Sequence, residues 1–88
     1  MKHEDLNNSI EELLLRKREI EAQIKVNEYY ISNYMSYANG STTKETRHMW
    51  KNVIKDYKER NRFLGYELIN IQKEISDLLD KEEKENDH

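Results

Sequence analysis

Two stretches of this chain carry apolar residues at alternating four- and three-residue steps, and a single break separates them. The first stretch runs through Leu6, Ile10, Leu13, Lys17, Ile20, Ile24, Asn27, Ile31 and Tyr34. The second runs through Trp50, Ile54, Tyr57, Asn61, Leu64, Leu68, Ile71, Ile75 and Leu78. A repeat averaging 3.5 residues keeps one helix stripe facing a neighbour while the helix supercoils, so each stretch predicts a long coiled-coil-like helix. Ile10, Lys17, Ile24 and Ile31 take the a positions of the first seam, and Ile54, Asn61, Leu68 and Ile75 those of the second. The remaining members are d. Two polar residues interrupt the first stripe: Lys17 can carry its ammonium out past its aliphatic stem, whereas Asn27 needs a polar partner.

The break is Ala38-Asn39-Gly40-Ser41-Thr42-Thr43. Asn39-Gly40 reads as a helix C-terminus with Gly40 in the left-handed region. Thr42-Thr43-Lys44-Glu45 reads as a capping box in which Thr42 accepts from the Glu45 amide. At the other end Asp5 is one cap and Ser9-Ile10-Glu11-Glu12 another. The earlier start is favoured because Leu6 obeys the heptad. The fold class expected is therefore all-α: one helical hairpin over residues 1–82, with helices at about 5–39 and 43–80 and a turn at 40–42. Each helix would hold roughly 35 residues and span about 50 Å. Residues 83–88 are expected to form a disordered acidic tail. So short a turn makes the helices antiparallel neighbours. It also favours the register that sets Ile31 near Trp50, Ile24 near Tyr57 and Leu13 near Leu68. A slide of one heptad would instead pair Asn27 with Asn61, which satisfies two amides.

Composition sharpens the picture. The chain is 35% hydrophobic and 38% charged, against about 45–50% and about 25% in ordinary domains, so a narrow seam can be filled but not a thick core. Two helices touching along one seam bury little for the backbone they order. Leu14, Leu15, Met35, Tyr37, Val53, Phe63 and Leu79 lie outside the seam and widen the apolar stripe. These features predict a homodimer of hairpins forming a four-helix bundle, or a hairpin completing its core on a partner. Gly65 interrupts the second helix, where glycine costs about 1 kcal/mol relative to Ala. It marks either a close helix approach or a tolerated defect. On the outer face, Glu12–Arg16 and Glu21–Lys25 are spaced to pair at i,i+4.

Cysteine is absent, which excludes disulfides and thiolate metal sites. No apolar run approaches the roughly 20 residues of a membrane span, and no signal-peptide core follows the first residues. A soluble, cytoplasmic chain is expected, with no membrane partner. Net charge is −3, yet its layout is uneven. Residues 44–62 hold seven bases and three acids, a local +4, and residues 67–88 hold eight acids and three bases, a local −5. Lys44, His48, Lys51, Lys55, Lys58 and Arg62 share one stripe at e and b positions. A solvated face, a contact with the acidic half of an antiparallel second copy, and a phosphate-binding surface are its three readings. The turn end is also rich in aromatics. Tyr34 and Trp50 fall in the seam, while Tyr29 at f and Tyr30 and Tyr37 at g are placed to meet a partner.

Catalysis and metal binding find no motif: His3, His48 and His88 are scattered, without ligand spacing, and no cofactor is expected. Leu13-Leu14-Leu15-Arg16-Lys17-Arg18-Glu19-Ile20 resembles the first-helix pattern of the all-helical chorismate mutases, which would imply a mutase. That family has three helices, and no third can be placed here. In architecture the chain is similar to the small plasmid-copy-control hairpins that bind RNA as four-helix bundles. It is also similar to WXG-type secreted hairpins and type VII accessory proteins, although Trp50 is followed by Lys51-Asn52 inside a helix rather than by a turn glycine. The function expected is a non-enzymatic protein–protein interaction module of adaptor, secretion-accessory or inhibitor type. It would associate with itself and with a protein partner, and nucleic acid is the alternative partner.

Overall fold

A computed structural model describes residues 3–86, which form two helices: α1, His3–Asn39, and α2, Lys44–Asn86. They pack antiparallel as an extended hairpin of 69 × 15 × 14 Å. A compact chain of this length would have a radius of gyration near 12 Å, whereas the hairpin's is 19.8 Å. The helices contact each other along the seam, whose buried residues run from Leu6 to Ala38 on α1 and from Ile54 to Ile71 on α2, as the continuous heptads require.

Every seam residue from Leu6 to Tyr34 and from Trp50 to Leu78 is buried or half-buried. Among the described apolar residues only Leu6, Ile20, Ala38, Ile54 and Ile71 are buried. Two cylinders in contact cover one side of each stripe and leave its shoulders open. Leu14, Leu15, Met35, Tyr37, Phe63 and Leu79 all stay exposed, and Val53 is half-buried. Lys17 occupies its a position as expected of a long cation, half-buried at the stem with its ammonium 3.8 Å from Glu21.

Asn27, only 3% exposed, decides the register. Its Nδ2 donates to Asn61 Oδ1 at 2.8 Å, and its Oδ1 accepts from Gln23 Nε2 at 2.9 Å. Asn61 Nδ2 in turn reaches the Ile24 carbonyl at 3.3 Å. The register favoured from turn length is therefore not adopted: Trp50 sits between Tyr34 and Tyr37 rather than beside Ile31, and Tyr57 beside Tyr30 and Tyr34. The slide satisfies the buried Asn27 amide, which would cost about 1–3 kcal/mol unpaired, together with the half-buried Asn61. A slightly longer turn costs far less.

The helix ends differ from expectation as well. Thr43, not Thr42, caps α2: its Oγ1 accepts from the Thr46 amide at 3.2 Å and its carbonyl from the Arg47 amide at 3.1 Å. Gly40 does not take a positive φ. Its N–H continues the helical pattern to the Ser36 carbonyl at 3.0 Å, and Ser41 closes the end by donating through Oγ to the Tyr37 carbonyl at 2.8 Å. A serine hydroxyl thus does what a left-handed glycine would otherwise do. α1 begins ahead of Asp5, and Ser9 is internal, its hydroxyl bonding back to the Asp5 carbonyl at 2.9 Å. α2 continues to Asn86, so residues 83–86 of the expected disordered tail are helical; Asp87 and His88 lie outside the described residues.

Candidate functional site

The end of the hairpin near the turn presents two different sides. On the g side of the seam, five rings form a connected cluster. Tyr34 stacks on Trp50 at 5.4 Å between centroids and meets Tyr57 at 5.5 Å. Tyr30 joins through Tyr57 at 5.7 Å, and Tyr37 through Trp50 at 5.2 Å. Tilted and offset pairs at these separations add to simple area burial. The Arg60 guanidinium lies 4.7 Å from the Tyr57 ring centroid, extending the cluster by a cation–π contact. Tyr30 and Tyr37 thus spend one face on this cluster and expose the other, while Tyr29, 65% exposed, touches the cluster only through Tyr30. The Tyr57 hydroxyl, and then loss of hydration, raise the pKa of Tyr34 above the usual tyrosine value of 10.0.

On the e side a groove of about 530 Å³ opens between the helices. Met35, Ala38 and Ile54 give it an apolar floor, and Lys51, Lys55, Lys58 and Arg62 give it a mostly basic rim that Asn39 and Glu59 complete. Arg62 is bonded to Glu59 one turn back and lies 5.5 Å from the Phe63 ring centroid. Among the described residues no acid pairs with Lys51, Lys55 or Lys58. Lys44 and His48 lie further toward the turn, where with Lys51 they border a second concavity of about 440 Å³. The structure therefore brings four of the six stripe residues around one groove and places the other two beside it.

The heptad letters marked the basic stripe but not the floor beneath it, because Met35 and Ile54 become neighbours only when the helices fold together. Also missed was Ile69, a b-position residue continuing the same stripe and 61% exposed; the four-three spacing carried that signal. The expected Glu12–Arg16 and Glu21–Lys25 pairs are not formed. Arg16 instead bridges the helices to Glu67 Oε1 at 2.8 Å and touches Glu19 at 3.5 Å. Bonding to Glu67 raises its pKa further. Arg16 belongs to the segment resembling the mutases, and the bridge ties it to α2. The described residues include no group of three His, Cys, Asp or Glu placed to hold a metal, and no helix long and apolar enough to cross a membrane.

No family model, curated protein or solved structure matches this chain. The class that can be stated is that of the fold, a long antiparallel helical hairpin.

Proposed function

We propose that this chain is a non-enzymatic interaction module that associates with itself and docks a protein partner through the turn end. The observation that carries the reading is the e-side groove, where three cations without acid partners surround an apolar floor. Lysines held around methionine and isoleucine suit an occupant with an apolar core and an acidic rim, because both components are satisfied at once. The aromatic cluster on the opposite side adds rigid ring surface of the kind that dominates interface energetics. A nucleic-acid reading draws on the same lysines, since a basic stripe beside tyrosines suits a phosphate backbone.

Light scattering over a range of concentrations tests self-association, the expected mass being twice the 10.7 kDa of one chain. A mass of one chain at every concentration up to about 1 mM, an affinity below about 4 kcal/mol, would overturn it. Binding to single-stranded RNA or DNA at low salt, abolished by reversing Lys51, Lys55 and Lys58 to Glu, would transfer the groove to the phosphate reading.

A further inference from the structure

The e and b positions of α2 make one continuous stripe that changes character halfway. It is basic from Lys44 to Arg62, passes Gly65, Ile69, Gln72 and Ser76, and ends at Leu79 and Glu83. Leu79 is 48% exposed and lies in a shallow concavity with Ser76, Asp80, Glu82 and Glu83. An apolar side chain ringed by acids thus stands at one end of the helix, and an apolar floor ringed by bases at the other.

Gly65 sits between them without a reason internal to the hairpin. A Cβ added there would meet nothing within 4 Å, and the backbone φ is not positive. A mid-helix glycine still costs about 1 kcal/mol relative to alanine. The absence of a side chain is useful there only to something that approaches from outside. Ile69, one turn further on, projects 61% exposed, and a β-branched knob of that size fits a hole left by glycine on a facing helix.

We infer that the occupant of the basic groove is the acidic end of α2 from a second copy of this chain, the two α2 helices crossing antiparallel about a two-fold axis at Glu67. This rests on the self-association reading above. Residues equidistant from Glu67 then face each other. The second copy's Ile69 lies on Gly65, and its Leu79 comes to Lys55 over the floor of Met35 and Ile54. Its Glu83 comes to Lys51. Every such pair joins an e position to a b position, which is the pairing an antiparallel helix seam requires. A two-fold operation makes each contact twice, so both basic grooves and both acidic ends are used. In this arrangement the segment of local charge −5 approaches the segment of local charge +4, Glu83 being the acid on the facing stripe and Gln72 and Ser76 standing opposite Arg62 and Lys58, whereas like-charged segments meet if the helices run parallel. On α1 the matching face runs Glu11, Leu14, Arg18, Glu21, Lys25, Glu28, Ser32 and Met35, alternating in charge with no basic and acidic halves, so α2 supplies the contact. The g-side aromatic clusters stay open, one at each end of the assembly.

Gly65→Leu separates this arrangement from hairpin stability. The Cβ of the leucine meets nothing within 4 Å in the hairpin and leucine has better helix propensity than glycine, so far-UV melting of dilute protein is expected unchanged or raised. The same substitution is expected to raise the dimer dissociation constant at least about tenfold, read by sedimentation equilibrium. Because the chain has no cysteine, a mixture of K55C and L79C chains gives a second readout. Disulfides are expected between the two variants in preference to either with itself. A wild-type dimer that G65L leaves intact, or in which K55C chains link to one another, overturns the two-fold at Glu67 and leaves self-association standing. A wild-type chain that stays monomeric overturns both. A monomer that binds a single-stranded oligonucleotide through the stripe, with binding lost in K51E, overturns the inference in favour of phosphate.

Discussion

Asn27 shows how one side chain can outweigh a turn. Asn27→Ala removes a partner from Asn61 and leaves Gln23 without its acceptor, and a loss of about 2 kcal/mol in urea denaturation is expected. Replacing both asparagines with Leu should recover that loss and relax the register, since the amide pair is what distinguishes neighbouring heptads. Spin labels near the turn and at the far end would report the slide as altered distances. Tyr34 carries the pH dependence. Its folded-state pKa is raised, so the neutral phenol is the form the fold favours. Its contribution is complete below pH 10, the unfolded value, and is lost as pH rises through the higher folded value. Melting temperature should therefore fall more steeply above pH 10 in the wild type than in Tyr34→Phe.

The helix boundaries follow from local hydrogen bonding, and three substitutions locate them. Thr43→Ala should cost about 1 kcal/mol, while Thr42→Ala should be nearly neutral, because only Thr43 accepts from the first turn of α2. Gly40→Ala should stabilise by about 0.4–1 kcal/mol. No positive φ is required there, and a Cβ would rest 3.5 Å from the Ser36 carbonyl, an ordinary contact. Chemical denaturation followed by circular dichroism checks all three, and a destabilised Gly40→Ala would contradict the geometry of the turn. The Thr-x-x-Glu spacing in the sequence pointed to Thr42, and the folded chain places the cap one residue on, at Thr43. Which one served depended on where Ser41 had already ended α1.

For the whole molecule, an elongated hairpin with a thin seam has open apolar shoulders, so any association that covers them adds to its stability. If two copies pair through α2, the melting temperature should rise with protein concentration by mass action. It should rise less in 1 M salt, where screening over about 3 Å weakens the opposed charges but not the Ile69 and Leu79 contacts. A melting temperature independent of concentration between about 5 µM and 500 µM would count against any self-association.

Helix count, helix direction and the identity of the seam were legible in the chain itself, because a 3.5-residue repeat is a local property that each helix carries alone. The basic stripe was legible for the same reason, as was the need of Asn27 for a polar partner. The register, the capping threonine, the Arg16–Glu67 bridge, the aromatic cluster and the floor of the groove were decided only in the folded hairpin. Apart from the cap, which hydrogen bonds within the first turn of α2 set, each depends on which residue of one helix lies opposite which residue of the other. Periodicity leaves that choice open by multiples of seven, and the pairing of buried Asn27 with half-buried Asn61 closes it.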